Sequence, residues 1–481
     1  MSYQTAVASM YALGHELANA PSHKFDLAHM RVLLTALNHP ERKFPAVLIA
    51  GTNGKGSTAA TLASILQASG VRTGLYTSPH PIRINERICI NGDQISDDDF
   101  ALLHGVVART AERLVEEGEL PWHPSFFEML TAIAFEYFAQ NKKVDMAVLE
   151  VGMGGRLDAT NVVEPRVSVI TDISLDHQKF LGNTVTEIAR EKAGIIRPGV
   201  VVVTLPQQPQ ANDVIGNTIL ELGAQAISAV PYVPPVSPGS AEWLVRATAP
   251  VAERRENAAR GISRGENSEN GTASTRRKKD CDLISRYPLQ VLGKQILVQN
   301  PLVGRHQLRN IALAIATAEV LSHQGLPITA ETIEQGTRQT HWPGRFQVIP
   351  ADRGEPKYVF DVAHNPAGAW ALRSAISTCY EDRQIIFIFG AMRDKAIGEM
   401  AEILFPLAAR VIVTRADNPR SATPVEIREA AARTATDIED AEDVASALGR
   451  ARSLAGSGGI VVVTGSIYIV GEAMHALGVK V

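Results

Sequence analysis

Short apolar runs alternate along the first part of the chain with longer segments in which apolar residues recur at helical spacing. The runs at 45–50, 71–77, 144–151, 166–171 and 201–205 are predicted strands, and 57–69, 98–117 and 125–139 are predicted helices. This alternation predicts right-handed crossovers and a doubly wound, mostly parallel sheet. The strands are apolar on both faces, which is expected when helices cover both sides of the sheet.

A second alternating set begins after residue 343. Its predicted strands are 357–362, 384–389, 409–414 and 458–465, and its predicted helices lie near 366–378, 394–405, 424–434 and 440–453. A chain of 481 residues is long enough for two or three domains. We therefore predict an α/β protein with a large domain over residues 1–342 and a smaller Rossmann-like domain over residues 343–481.

Residues 231–280 interrupt the alternation. The segment begins with a proline-rich stretch, PYVPPVSPGS, and continues through a polar, charged stretch with few large apolar residues. Such a segment buries too little apolar surface to offset the entropy lost on ordering. The sequence therefore predicts a flexible insertion, and its RRKK cluster at 276–279 is interpreted as part of a solvated loop.

Composition excludes several classes of protein. The hydrophobic fraction of 45% and the charged fraction of 20% are typical of soluble globular chains. The net charge of −4 gives no global basic field, so nucleic acid is not an expected partner. No apolar run is long enough to span a membrane, and the N-terminus does not resemble a secretory signal. Cys89, Cys281 and Cys379 match no zinc or redox spacing, so we expect reduced thiols in a cytoplasmic protein.

A glycine-rich loop is the strongest local signal in the sequence. It follows the first predicted strand, opens the first predicted helix of the sheet, and reads Gly51, Thr52, Asn53, Gly54, Lys55, Gly56, Ser57 and Thr58. Glycines let successive backbone N–H groups converge on phosphate oxygens at the positive end of a helix. Lys55 is placed to neutralise the outer phosphates of a nucleotide. The hydroxyl of Ser57 or Thr58 is placed to face a magnesium ion.

The loop departs from the standard Walker A motif. It lacks the motif's first glycine, and Gly56 separates the lysine from Ser57. A guanine-reading Asn-Lys-x-Asp motif is also missing from the sequence, because its nearest match ends in Val144. The sequence therefore favours ATP as the nucleotide.

Polar residues follow three of the predicted strands. Ser78 follows 71–77, Glu150 lies near the end of 144–151, and His177 follows the strand at 166–171. Ligands collect at the carboxyl ends of strands in open α/β sheets, so these side chains can converge. Magnesium prefers oxygen ligands, which makes Glu150 the natural anchor, whereas His177 is a less usual ligand.

Eight stretches, taken in order, resemble the folylpolyglutamate synthase/dihydrofolate synthase family of the Mur ligase superfamily. They are GTNGKGST, YTSPHPIRINERICING, LEVGMGGRLDATN, ITDISLDHQKFLGNT, IAREKAGIIRPG, GRHQLRNIALAIA, HWPGRFQ and FDVAHNPAG. They cover nearly the whole chain apart from 231–280. The SPH and INERICING segments are similar to the folate branch rather than to ligases of cell-wall precursors.

The resemblance implies an ATP-dependent ligase whose site lies between a P-loop domain and a smaller domain. It implies phosphate binding by Gly54, Lys55, Gly56 and Ser57, and further ATP contacts from Asn310, Arg345, Asp361 and His364. It implies magnesium ligation by Ser78, Glu150 and His177, with Lys192 resembling a lysine that is carbamylated and so becomes an oxygen ligand. Lys55, Lys192 and His177 are the expected catalytic set. Two Mg²⁺ ions and a monovalent cation such as K⁺ are the expected ions.

The pterin pocket also follows from the resemblance. It implies contacts from Ser125, Phe126, Phe127, Glu128, Leu157, Asp158 and Ala159. The expected partners are the small molecules ATP, L-glutamate, and dihydropteroate or folate, bound by a monomer. The expected reaction makes an acyl phosphate from the substrate carboxylate and then an amide with glutamate.

The sequence leaves several points open. It does not decide between dihydropteroate, tetrahydrofolate and both, although a bifunctional enzyme is favoured. The base for the glutamate amine, the linkage and the number of glutamates added are undecided. A ligase of cell-wall precursors and a non-catalytic nucleotide-binding switch are the competing interpretations.

Overall fold

The computed structural model describes residues 1–14, 26–140, 144–235, 244–246, 283–351, 355–380, 383–434 and 437–479. The first sheet has eight strands in the order β4-β3-β2-β5-β1-β6-β7-β8. Strands β2, β5, β1, β6, β7 and β8 run parallel, and β3 and β4 form an antiparallel edge. The strands are β1 (Ala46–Ala50), β2 (Thr73–Tyr76), β3 (Ile88–Ile90), β4 (Asp93–Gln94), β5 (Met146–Glu150), β6 (Pro165–Ile170), β7 (Val201–Thr204) and β8 (Gln225–Ser228).

Helices surround this sheet. They are α1 (Tyr3–Ala12), α2 (Leu27–Ala36), α3 (Lys55–Ala68), α4 (Asp97–Glu116), α5 (Phe126–Ala139), α6 (Gln178–Leu181), α7 (Val185–Ala193) and α8 (Pro209–Glu221). Short 3-10 turns lie at Pro40–Arg42, Ile84–Arg87, Ala159–Val162 and Val230–Tyr232. Acidic residues in the first turn and the Ser96 side chain, which accepts from Asp99 N, begin α4 where the sequence predicts it.

A three-stranded antiparallel sheet and two helices follow. The elements are β9 (Leu244–Arg246), β10 (Leu283–Val291), β11 (Lys294–Asn300), α9 (Arg305–His323) and α10 (Ala330–Gln339). Strand β9 falls inside the predicted insertion, and the sequence analysis did not anticipate it. Residues 236–243 and 247–280 lie outside the described residues, so the flexible insertion stays a prediction for them.

The second sheet has six strands in the order β12-β13-β17-β14-β15-β16, parallel except at β12. Its strands are β12 (Gln347–Ile349), β13 (Lys357–Phe360), β14 (Ile385–Phe389), β15 (Arg410–Val413), β16 (Ile438–Asp440) and β17 (Ile460–Thr464). Its helices are α11 (Pro366–Tyr380), α12 (Ile397–Leu404), α13 (Pro424–Ala430), α14 (Val444–Ala455) and α15 (Ile467–Ala476), with 3-10 turns at Phe405–Leu407 and Gly456–Gly458.

Each large sheet has a hydrophobic core on both faces. In β1, Leu48 points into the core formed with α4 and α5, whereas Val47 and Ile49 point into the core formed with α3, α9 and the small sheet. The second sheet divides Val359 and Phe360 between two cores in the same way. This two-sided burial explains the continuous apolar runs, and the predicted fold class is confirmed.

Two further observations concern composition. Among the described residues, no helix combines the length and apolar character needed to cross a membrane. Cys89 and Cys379 carry free thiols, and burial raises the pKa of each thiol to about 12. Cys281 lies outside the described residues.

Candidate active site between the two sheets

The glycine-rich loop connects β1 to α3, as the sequence predicts. Its first half is bound to the segment that follows β6. The N–H groups of Thr52 and Asn53 donate to the Asp172 carbonyl at 2.8 and 3.2 Å. A Cβ atom at Gly51 would lie 1.8 Å from the Thr171 hydroxyl oxygen, so only glycine allows this approach. The neighbouring strand end therefore fixes the start of the loop.

The second half of the loop packs against α9. Gly54 has a φ of 89°, and a Cβ atom there would lie 2.1 Å from Oδ1 of Asn310. The hydroxyl of Thr58 donates to the Asn310 carbonyl at 3.4 Å. Asn310, a predicted ATP-binding residue, thus lies directly beside the loop. The Thr58 hydroxyl points towards α9, so Ser57 is the better candidate to face a phosphate-bound ion.

Lys55 lies near two of the residues that are predicted to bind the ion. It is the first residue of α3, and its Nζ donates to the Thr52 carbonyl at 3.3 Å. Burial lowers the pKa of His177 to about 3, and Lys55 adds to this shift. Burial raises the pKa of Glu150, and the charge of Lys55 opposes that rise. Glu150 and His177 therefore both lie within electrostatic range of Lys55.

Glu150 is the last residue of β5 and is 4% exposed. The backbone N–H of Ser78 donates to Oε2 of Glu150 at 3.3 Å. This contact joins the ends of the neighbouring strands β2 and β5, whose register places Tyr76 beside Leu149. The predicted convergence of Ser78 and Glu150 is thus present in the structure.

Lys192 lies near the end of α7 and is 4% exposed. Its Nζ donates to the Gly51 carbonyl at 2.7 Å, so this lysine reaches the first residue of the phosphate loop. Burial, reinforced by the nearby charge of Lys55, lowers the pKa of Lys192 to about 7. A lysine with a pKa of about 7 is neutral in a large fraction of molecules near pH 7. The sequence alone did not indicate this.

Asp176 connects the two sheets. Oδ1 of Asp176 accepts from Nζ of Lys395 at 2.7 Å, and Oδ2 accepts from Nδ2 of Asn365 at 3.3 Å. Nε2 of His364 lies 3.7 Å from Oδ2, and Nε2 of His177 lies 3.9 Å from it. Burial would raise the pKa of Asp176, but His177, Lys395 and His364 more than offset burial and lower it. The acid is therefore ionised at neutral pH.

Arg345 and Asp361 bring the linker between the sheets to this site. Asp361 follows β13, and its carboxylate accepts from the N–H groups of Phe346 and Ala363, each at 2.9 Å. Burial raises the pKa of Asp361 to about 6, although the charge of Arg345 opposes the rise. Asp361 therefore shapes the backbone that carries Arg345, which lines the main cavity.

A cavity of about 410 Å³ lies between the sheets, and we call it the main cavity because predicted site residues from both sheets line it. Ten predicted site residues line it: Ser78, Ser125, Phe127, Glu128, Leu157, Asp158, Ala159, His177, Arg345 and His364. Glu150, Lys192, Asn310, Asp361 and the loop residues Gly51 to Thr58 are not among its lining residues. The cavity size is in the range of small-molecule sites.

Two acids that line the cavity already have backbone partners. Glu128 and Ser125 form a capping box at the start of α5, in which Oε2 of Glu128 accepts from Ser125 N at 2.8 Å. Asp158 accepts from the N–H groups of Met153 and Thr160, each at 3.0 Å. These contacts give both acids a structural explanation, and their predicted contact with a pterin stays a prediction.

Phe126 does not line the main cavity. It is 3% exposed and borders a second cavity of about 500 Å³, where the Arg87 guanidinium lies 5.4 Å from its ring centroid. Residues 78–79 line the main cavity and residues 80–82 line the second, so this loop separates the two. The side chain of Phe127 is therefore better placed than that of Phe126 to contact a ligand in the main cavity.

Sequence reasoning did not assign Lys395, Asn365, Asp176 or Arg420 to the site. Lys395 and Arg420 line the main cavity, and both follow strands of the second sheet. The rule that ligands collect at the carboxyl ends of parallel strands was applied only to the first sheet. Applied to the residues that follow β14 and β15, it would have drawn attention to Lys395 and Arg420.

Comparison with known proteins agrees with this architecture. A family model described as "Mur ligase, glutamate ligase domain" matches residues 344–467. Dihydrofolate synthase/folylpolyglutamate synthase of Bacillus subtilis is 34% identical over 465 residues, 94% of each chain. Folylpolyglutamate synthase of Lacticaseibacillus casei is 35% identical over 432 residues, 89% of this chain and 88% of its own. A structure of Mycobacterium tuberculosis folylpolyglutamate synthase, complexed with ADP and AMPPCP, has a TM-score of 0.79 and 29% identity over 99% of both chains.

The phosphate loop of the first sheet and the glutamate ligase domain of the second define a Mur-type ligase. The sequence similarity covers 94% and 89% of this chain in the two relatives, so it extends through both parts. The chain belongs to the dihydrofolate synthase/folylpolyglutamate synthase family. The family and the class of activity predicted from the sequence are confirmed, whereas the roles of individual residues stay predictions.

Proposed function

We propose that this protein uses ATP to join the amino group of L-glutamate to a carboxylate of dihydropteroate, and also of folates. The observation that carries the proposal is the position of Lys55. It lies in the phosphate loop, and its charge acts on Glu150, His177 and Lys192, which come from three different strand ends or helices. The groups proposed to bind phosphate and metal therefore lie close to a cavity of the size of a small-molecule substrate, which supports the proposal.

The residues around Lys55 fit a magnesium ion. Glu150 is a buried carboxylate, and a divalent cation would favour its charged form. Among the described residues, Nδ1 of His177 is buried and has no hydrogen-bond partner. No group of three or more His, Cys, Asp or Glu side chains in the described ranges is placed to hold a metal. The proposed site contains only two such side chains, Glu150 and His177. Ser78, oxygens of ATP and carbamylated Lys192 would therefore provide the remaining ligands.

A bound magnesium ion would neutralise charge on the phosphate oxygens. The proposal also includes a second Mg²⁺ and a monovalent cation such as K⁺. These two ions rest only on the resemblance to the family. The cytoplasmic location and the monomeric state predicted from the sequence likewise stay predictions.

The reaction has two steps. In the first, a carboxylate oxygen of the pterin substrate attacks the γ-phosphorus of ATP, the bond to ADP breaks, and an acyl phosphate forms. In the second, the neutral amine of glutamate attacks the acyl carbon, the carbon–oxygen bond to phosphate breaks, and the amine proton passes to solvent. Lys55 would stabilise the charge that develops on the phosphoryl oxygens. Enclosure between the two sheets would keep water from the acyl phosphate.

Neither histidine of the site is well suited as a base for the amine. Burial lowers the pKa of His177 to about 3 and that of His364 to about 4. Nδ1 of His364 lies 2.9 Å from the Val362 carbonyl and must donate to it, which leaves Nε2 to accept. Both imidazoles are neutral at pH 7, but such low pKa values make them weak bases for an ammonium group. Their proposed task is to position substrate groups or an ion.

The pterin would occupy the main cavity beside Phe127, whose ring provides a flat apolar surface. The names of the relatives support both dihydropteroate and folate as acceptors of glutamate. We therefore favour a bifunctional enzyme that adds glutamate to both dihydropteroate and folates. Arg345 lines the same cavity and would help to balance the carboxylates of the substrates. Lys395 and Arg420 also line it, but each already pairs with an acid, Lys395 with Asp176 and Arg420 with Asp394.

A phosphate-release assay tests the proposal. The protein is mixed with magnesium, ATP and L-glutamate, and with dihydropteroate, tetrahydrofolate or a UDP-linked cell-wall precursor in separate reactions. We expect phosphate release that requires both glutamate and a pterin, with a product heavier by one or more glutamyl units in mass analysis. Release only with the cell-wall precursor would favour a different Mur-type ligase. Nucleotide binding without ligation of any acceptor would favour a nucleotide switch.

A further inference from the structure

The indole ring of Trp342 lies against the phosphate loop. A Cβ atom placed on Gly56 would lie 2.7 Å from Cζ2 of Trp342, and 3.1 Å from both Cε2 and Nε1. Atoms in proteins do not approach so closely, so no side chain fits at position 56 while the indole stays in place. The requirement for glycine here comes from packing. It explains why the residue between Lys55 and Ser57 is glycine.

Trp342 belongs to the linker between the two sheets. It follows α10, which packs tightly on α3: the Ser64 hydroxyl donates to the Gly336 carbonyl at 2.7 Å. A Cβ atom at Gly336 would lie 2.4 Å from Cα of Ile65. The chain just before Trp342 is therefore fixed to the helix that begins with the phosphate loop.

The chain just after Trp342 is fixed to the second sheet. The Gly344 carbonyl accepts from Val362 N at 2.9 Å, and Phe346 N donates to Asp361 at 2.9 Å. Arg345, which lies between these anchors, lines the main cavity. The segment from Trp342 to Arg345 therefore contacts the phosphate loop at its first residue and lines the main cavity at its last.

We propose that Trp342 is a positioning residue for the nucleotide: its indole holds Gly56, and through it the first turn of α3, in the geometry that binds phosphate. The first N–H groups of a helix have no partner within the helix, so they are free to bind phosphate oxygens. A displacement of about 1 Å can cost about 10²-fold in rate when groups must be aligned. The same contact couples the loop to Arg345. This inference rests on the proposed use of ATP.

A double-mutant cycle tests the contact. The variants are Gly56→Ala, Trp342→Ala, the double variant and Trp342→Phe, with Trp370→Ala as a matched control. Trp370 lies on α11 and is 59% exposed. The readouts are the Kd of magnesium-ATP by calorimetry, the KM of each substrate, kcat, and the Tm.

We expect Gly56→Ala to weaken ATP binding by about 10–100-fold, because the new methyl group collides with the indole. Trp342→Ala should raise the KM of ATP by about tenfold more than the KM of the pterin substrate. In the double variant the methyl group occupies space left by the indole, so binding should be tighter than the two separate losses predict. Trp342→Phe should restore most of the affinity, and Trp370→Ala should bind ATP as the wild type does.

Additive losses in the double variant, or an unchanged Kd in Trp342→Ala with a lowered Tm, would overturn the inference and leave Trp342 a packing residue. If Trp342→Ala does not fold, Trp342→Leu provides the same comparison, because it keeps apolar volume without the flat ring. A wild-type protein that binds no ATP would refute the proposed function itself. A wild type that binds ATP, together with a Trp342 variant of equal affinity, would refute only this inference.

Discussion

The ε-ammonium group of Lys395 lies 2.7 Å from Oδ1 of Asp176, and this ion pair joins the second sheet to the first. The two side chains are 8% and 9% exposed, so the pair is largely removed from water. Asp176 also receives a hydrogen bond from Asn365, which comes from the second sheet as well. The pair therefore holds the closed arrangement in which the cavity residues of both sheets face each other.

Replacing Lys395 by Met should open this arrangement. The substitution leaves the Asp176 carboxylate buried without its cation, and breaking a buried pair in this way costs about 3–5 kcal/mol. We expect a large fall in ligase turnover and a larger radius of gyration in X-ray scattering. The matched control is Arg393→Met, since Arg393 and Glu426 form a pair whose side chains are 49% and 45% exposed. That pair contributes about 0–1 kcal/mol, and equal losses in both variants would contradict the prediction.

Lys55→Ala should abolish most turnover without unfolding the protein. Lys55 is only partly buried, and its side chain makes one hydrogen bond, at 3.3 Å, to its own loop. Removing a charge of this kind from a phosphoryl-transfer site costs about 10²–10³ in rate. Initial rates at saturating ATP and a thermal melt are the measurements. The control is Lys294→Ala, whose side chain is 64% exposed. Near-normal rates for Lys55→Ala would exclude it from the reaction.

Carbamylation of Lys192 should depend on pH. Carbon dioxide adds only to a neutral amine, and the pKa of Lys192 is lowered to about 7, chiefly by burial. The neutral fraction therefore rises as pH increases from 6 to 8, and carbamate and activity should rise with it. Labelling with ¹³C-bicarbonate and recording ¹³C NMR spectra measures the adduct. Lys192→Met should lose both the signal and the activity, whereas exposed Lys179→Met should keep them; a wild type without the signal throughout this range would refute carbamylation.

Phe127→Ala should weaken binding of the pterin substrate more than binding of ATP. The ring lines the main cavity, and it packs so close to Gly152 that a Cβ atom there would lie 2.6 Å from Cζ of Phe127. Loss of an aromatic contact of this kind raises KM by about tenfold, equal to about 1.4 kcal/mol. The KM of ATP, measured in the same assays, is the internal control. Equal increases in both constants would indicate a general disturbance of the site.

His104 should make the protein less stable in acid. Burial lowers the pKa of His104, which is 1% exposed, and neither ring nitrogen has a hydrogen-bond partner among the described residues. As pH falls below about 6.5, the unfolded chain binds a proton that the folded protein does not, so stability decreases by at most about 1.4 kcal/mol per pH unit.

His104→Leu removes this proton linkage. The difference between its unfolding free energies at pH 7.5 and pH 5.0, measured in urea, should be smaller than that of the wild type. Exposed His323→Leu is the control and should behave as the wild type does. A His104→Leu variant with an unchanged pH difference would show that this histidine does not contribute.

The sequence by itself determined the α/β architecture. Continuous apolar strands such as 45–50 and 384–389 need cover on both faces, and the glycine-rich loop needs a strand before it and a helix after it. The convergence of Ser78 with Glu150 followed from strand ends, since neighbouring parallel strands share one edge. Short strands such as β3 and β16 were missed because three residues are too few to show a periodic pattern.

Only the tertiary structure decided which residues from the two sheets meet. Trp342 and Gly56, or Lys395 and Asp176, are far apart in sequence, and no local pattern states that they touch. The lowered pKa of Lys192 is likewise a product of burial, since the same lysine on an exposed helix would keep its ordinary charge. Local sequence specifies elements through backbone preferences and apolar spacing, whereas contacts across the cleft depend on how the finished sheets close on each other.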